Sequence, residues 1–273
     1  MNRISLIVLL LLCSGCHSTG KILKTSSPPV IVSGSAFYKM VSSMRVTERD
    51  SFALKCILDG NIPSFLKKFE RIKISMNDKD GQQIEAILFV SKDYLSIGTN
   101  ADWARVPLMP KTAQKIADAF DCFLPTRKIV NDIYKNSSIK LDPFPLVKDR
   151  DSSATMLQHH QVIEKQRAGK SGLISGIKKD VVISGKLFQY PKNDRVAIYG
   201  WHKSDGNPIQ PLYTGHVDWY VDYSHGIRLI YRKIKIISSN NKYERWMDYE
   251  DVLKHPILKN LLCDEEDCTF YQY

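Results

Sequence analysis

The spacing of apolar positions changes several times along this chain, and each change marks an element. From Thr47 the apolar residues Phe52, Leu54 and Cys56 recur at helical spacing to about residue 58, where Gly60 stops them. Thr47 with Asp50 three positions on is the pattern of a helix start. Arg71-Ile72-Lys73-Ile74-Ser75-Met76 alternates with period two, Asn77-Asp78-Lys79-Asp80-Gly81 reads as a turn, and residues 84–90 are again extended. Together these predict a hairpin. Further strands are expected at 94–98 and 105–108, then a helix over 111–120 with Ala113, Ile116, Ala117 and Phe120 on one face. Thr126 caps a second helix, 127–134, that turns Ile129, Val130 and Ile133 inward. Residues 135–176 are polar and carry Pro143, Pro145, His159 and His160. They predict a loop-rich connection, a lid, or a boundary between halves. Strands follow at 180–184, 195–200, 213–223 and 227–237, then a helix at 249–253 and a short one before Cys263. The expected class is α+β, with a strand–helix N-terminal half and a mostly antiparallel β C-terminal half. Residues 36–273 are read as a single domain, with 135–176 as the place for any sub-boundary.

Ahead of these elements lies a different pattern. Met1-Asn2-Arg3 gives a positive start, residues 4–12 an apolar run, and Cys13-Ser14-Gly15-Cys16 a small-residue exit. The run is too short for a permanent membrane span, so it reads as a secretion signal. Ser14-Gly15-Cys16 resembles a bacterial lipoprotein signal, which implies lipidation at Cys16 and a signal peptide over 1–16. Residues 17–35, rich in Ser, Thr, Pro and Lys, then form a flexible tether. The protein is expected to be exported and held to the membrane by its lipid.

Charge adds the partner class. The 273-residue chain has a formal net charge of +10, which in an exported protein suggests an anionic envelope polymer or glycan. No nucleic-acid motif accompanies the charge, so nucleic acid is not expected. Export favours disulfides. Cys263 and Cys268 bracket a short acidic loop and are expected to pair, leaving Cys56 and Cys122 as a second bridge or as free thiols.

Most of the candidate chemistry falls between residues 199 and 228. Read as a strand, 215–224 aligns His216, Asp218, Tyr220, Asp222 and Ser224 on one face, with Val217, Trp219, Val221 and Tyr223 on the other. His216, His225, Tyr220 and Asp222 are the candidate catalytic residues. His202, Asp218, Arg228, Trp201 and Lys178 are expected to bind substrate. The spacing of the histidines matches no standard metal-ligand motif, and neither a metal nor a cofactor is expected.

Three resemblances refine this. Ala119-Phe120-Asp121-Cys122, followed much later by Gly215-His216-Val217 and His225, resembles the papain-like cell-wall cysteine peptidases. That similarity implies Cys122 as nucleophile, His216 as base and His225 as the orienting group, acting on peptidoglycan. Ser224-His225-Gly226-Ile227-Arg228-Leu229 resembles the signature of L,D-transpeptidases with the catalytic Cys missing, which implies at most a related binding site. The stretch 199–229 is also similar to exported bacterial envelope proteins of unknown function. Without a cysteine, the same His, Tyr, Asp and Arg residues contain the parts of a glycan hydrolase or lyase for an acidic polysaccharide. Trp201, Tyr213, Trp219, Tyr220 and Tyr223 would border the sugar. The leading expectation is therefore an exported enzyme that cleaves peptidoglycan as a cysteine amidase or peptidase, with the glycan hydrolase or lyase as the alternative and a non-catalytic glycan-binding lipoprotein as the other class.

Overall fold

A computed structural model describes residues 23, 25, 27, 28, 30–237, 244–269 and 271–273. The signal segment, Cys16 and nine of the nineteen tether residues lie outside the described residues. Two short helices open the fold, α1 (Gly34–Met40) and α2 (Val46–Leu58). Arg45, not Thr47, caps α2, and the Glu48 carboxylate accepts from the Arg45 amide at 3.0 Å. Asp50 plays no part in that cap. It is buried and accepts from the Met109 amide (2.9 Å) and the Thr112 hydroxyl, tying α2 to the next helix.

The expected hairpin is present as β1 (Phe69–Asn77) and β2 (Gln83–Ser91), paired antiparallel from Phe69↔Ser91 to Asn77↔Gln83. Residues 86–91 of β2 are all buried, as befits a central strand covered on both faces. The other early strands, β3 (Ser96–Gly98) and β4 (Trp103–Arg105), pair with each other. Next come α3 (Pro110–Ala119), β5 (Cys122–Phe123) and α4 (Arg127–Asn136). As expected, Thr126 caps α4 by accepting from the Ile129 amide. Ala113, Ile116 and Ala117 of α3 and Ile129 and Ile133 of α4 enter the main core.

The region 135–176 is not a loop-rich lid. Between the paired strands β6 (Ile139–Lys140) and β7 (Ile174–Ser175) it contains α5, Ser153–Arg167, a fifteen-residue helix. Arg105 docks it: the buried guanidinium pairs with Asp93 (2.8 and 2.7 Å) and with Glu164 of α5 (2.7 Å).

Beyond it lie β8 (Lys179–Val182), β9 (Arg195–His202), β10 (Pro208–Val217), β11 (His225–Gly226), β12 (Ile230–Tyr231), β13 (Lys233–Ile237), β14 (Glu244–Asp248) and α6 (Tyr249–Lys254). The first four form one sheet in the order β10-β9-β8-β11, with β11 parallel to β8. The strands β12, β13 and β14, with β5, join the hairpin in a second sheet, β14-β13-β2-β12-β5, with β1 on β2. The architecture is α+β. Cys263 and Cys268 form a disulfide, and Cys56 and Cys122 are free and buried. No helix among the described residues is long and apolar enough to cross a membrane.

Candidate functional site

The extended stretch expected over 213–223 stops at Val217. Local hydrogen bonds compete with the ladder there. The Tyr220 amide donates to the Val217 carbonyl (3.1 Å), and Asp222 Oδ1 accepts from both the amide (2.8 Å) and the hydroxyl (2.6 Å) of Ser224. The polar row is therefore a folded turn and not one face of a strand. The chain then re-enters the sheet as β11, which sets His225 opposite Lys179 of β8, with the Lys179 amide donating to the Ser224 carbonyl at 2.8 Å.

This turn brings three candidate residues together. The His216 and Tyr220 rings lie 5.2 Å apart between centroids, His216 and His225 6.4 Å, and Tyr220 and His225 6.2 Å. Asp222, the fourth, is the hub beneath them. Its Oδ2 takes Arg150 Nη2 at 2.7 Å and Nε at 3.1 Å, and the Tyr220 hydroxyl donates to the same oxygen at 3.3 Å. Burial pushes the Asp222 carboxyl up, but it is outweighed and the group sits well below the usual range. The neighbouring His225 imidazole, charged at the low pH where this carboxyl titrates, lowers it, as do the bonds from Ser224 and Arg150. Burial brings His225 down to about 4, and burial with the Lys179 charge lowers His216. Burial and the Asp222 charge raise Tyr220. At neutral pH the cluster thus holds neutral imidazoles and a neutral phenol beside an ionised carboxylate. At its rim Tyr213 (45% exposed) meets the His216 ring edge-on at 5.0 Å, and Trp219 is 61% exposed.

The other candidates go elsewhere. Asp218 pairs with Lys111 of α3 at 2.6 Å. Arg228 is buried, donating to the carbonyls of Ser91 (2.8 Å) and Ile174 (2.7 Å), with Nε 3.9 Å from Asp180. His202 is buried beneath α4, bonded to Asn131 at 2.9 Å and stacked on Tyr134. Trp201 is buried with φ at +57°, a strained setting for a bulky residue. Lys178 is buried, its ammonium donating to the Tyr223 carbonyl and lying 3.2 Å from His159 Nδ1. Burial takes its pKa to about 7.

Cys122 does not open a helix. It is a strand residue of β5 opposite Tyr231, in the other sheet from His216 and His225. Its thiol donates to the Phe120 carbonyl at 3.2 Å, and burial pushes its pKa well up. Among the described residues no imidazole lies within hydrogen-bond reach of this sulfur, and a thiol that titrates so high is a poor nucleophile.

Arg150 belongs to the site and has no signal in the sequence, whereas Lys179 was expected, with Lys178 and Asp180, at the border of the cleft. Arg150 lies in the segment read as a loop, and no local motif marks it. Lys179 stood beside Lys178 with nothing in the spacing to separate a buried lysine from a half-buried one. Among the described residues no three His, Cys, Asp or Glu side chains converge to hold a metal ion. Comparison with family models, with curated proteins and with solved structures finds no match for this chain.

Proposed function

We propose that this chain is an exported, lipid-anchored enzyme that cleaves an anionic envelope polysaccharide by β-elimination. The observation that carries the proposal is the convergence of His216, Tyr220 and His225 above the Arg150–Asp222 pair. In such an elimination a base removes the proton from the carbon α to the sugar carboxylate. The electron pair forms a carbon–carbon double bond, and the bond from the β carbon to the glycosidic oxygen breaks. That oxygen then takes a proton from an acid. His216, partly exposed and neutral at neutral pH, suits the base. Tyr220, kept protonated by its raised pKa, suits the acid. His225 and Asp222 are buried and position these two rings. Proton exchange with water restores both groups. Tyr213 and Trp219 offer exposed ring faces to a sugar chain, and the surplus of basic residues favours an anionic one.

Two other mechanisms draw less support. A two-carboxylate hydrolase needs a free acid and base pair, yet Asp218 is held by Lys111 and Asp222 by Arg150 and Ser224. A cysteine mechanism needs a thiolate beside an imidazole, and Cys122 has neither feature.

The test is to incubate the purified protein with polyuronates and with peptidoglycan sacculi, and to follow unsaturated sugar ends, reducing ends and free amines. Unsaturated ends are expected from a polyuronate. His216→Ala and Tyr220→Phe should each lower their rate about a hundredfold or more, while Cys122→Ala leaves turnover by the folded fraction unchanged. Free amines released from sacculi in a Cys122-dependent way would restore the peptidase mechanism. Binding with no product of any kind would make the protein a glycan-binding lipoprotein.

A further inference from the structure

One cation at this site lacks an anion. Arg150 is satisfied by Asp222, by the Leu146 carbonyl (3.0 Å) and by the Tyr223 ring (4.9 Å). Asp222 is in turn saturated by Arg150, Ser224 and Tyr220. Lys179 is half-buried, fixed by register opposite His225, and its ammonium lies 5.3 Å from the Trp201 ring centroid. Among the described residues no carboxylate lies within ion-pair distance of it. Paired in parallel with His225, Lys179 leaves the same face of the sheet, and its charge helps lower His216 and His225. A partly desolvated ammonium without a counter-charge is costly unless an anion arrives to pair with it.

We infer that Lys179 is the carboxylate receptor of this site, and that the substrate carries an anionic group on the sugar whose proton is removed. The inference rests on the elimination proposed above. Because His216 acts on the carbon α to that carboxylate, a cation beside His216 meets two needs at once. It anchors the chain in register, and it stabilises the negative charge that moves onto the carboxylate as the proton leaves. The Trp201 ring flanks the ammonium, 5.3 Å away at its centroid. Lys179 is then the residue that selects acidic over neutral glycans.

The experiment compares a polyuronate with its methyl ester, the same polymer with its charge removed. Equilibrium binding is measured on the inactive His216→Ala background, so that it does not depend on turnover. The protein with Lys179 intact should prefer the acid by about tenfold or more, the scale of a hydrogen bond to a charged group. Lys179→Met should abolish the preference, and Lys179→Arg should restore most of it. Unfolding midpoints of the variants identify any that fail to fold, and for those Lys179→Gln replaces Lys179→Met. A Lys179→Met protein that keeps the full preference overturns the assignment, even if elimination products are found. Conversely, absence of unsaturated products with every polyuronate defeats the elimination, while the binding preference still reports on Lys179.

Discussion

A methyl group added at Gly226 would lie 2.5 Å from Tyr94 Cδ1 and 2.7 Å from the Lys178 Cβ. The glycine of Ser224-His225-Gly226 is thus needed where β11 crosses close to β8 and to the Tyr94 ring, and His225 owes its position to that approach. Gly226→Ala should cost about 1–3 kcal/mol by overpacking, read as a lower urea midpoint, and should displace His225. An unchanged midpoint would show that Tyr94 moves aside freely. At this scale the residue types of the site were legible and their partners were not. His216, Tyr220, Asp222 and His225 stood out because an imidazole, a phenol and a carboxylate are unusual on a solvated strand. Arg228 was expected to bind an acidic sugar, yet its guanidinium is used up on the carbonyls of Ser91 and Ile174, two segments far away in sequence. Asp222 is instead paired with Arg150, also distant in sequence. Ion pairing across more than seventy positions leaves no local trace.

Among the elements, those with a clean period were found and those with a polar interior were not. The hairpin β1–β2 and helices α3 and α4 carry apolar residues at strand or helix spacing, and the structure has them. Helix α5 was read as loop because its buried face includes Ser153, Thr155, His159 and His160 beside only Met156 and Ile163. Its few apolar anchors, Met156 and Ile163, are supplemented by the Arg105–Glu164 pair. The same weakness makes it sensitive to its start. Ser152 caps α5 by accepting from the Thr155 amide at 3.1 Å, and Ser152→Ala should cost about 1 kcal/mol. Hydrogen exchange along α5 should quicken more than in α4, whose own cap is intact. Equal protection of the two helices in the variant would mean that tertiary contacts alone hold α5.

The molecule as a whole should lose stability in mild acid. Among the described residues four histidines, His159, His160, His202 and His225, are buried. Burial takes their pKa values from the ordinary 6.5 to about 2, 3, 4 and 4 respectively, with Lys178 and Arg105 adding to the effect at His159 and His160. Above pH 6.5 these groups are neutral in both states, so the shift contributes nothing. As pH falls from 6.5 towards 4, the unfolded chain takes up protons that the folded chain refuses. Each histidine then removes about 1.4 kcal/mol of stability per pH unit. Asp180 opposes them. Burial raises its carboxyl from 3.8 to about 7, and its Oδ1 has no hydrogen-bond partner. Through this window the folded state gains a proton at Asp180 that the unfolded state lacks, which offsets one of the four. The net slope is still large against a typical stability of about 5–15 kcal/mol. Denaturant midpoints should therefore fall as pH drops below 6.5 towards 5. His159→Gln and His225→Gln should each flatten the curve, whereas Asp180→Asn should steepen it. Midpoints that stay level from pH 7 to pH 5 would mean that these imidazoles find solvent or a counter-charge when protonated.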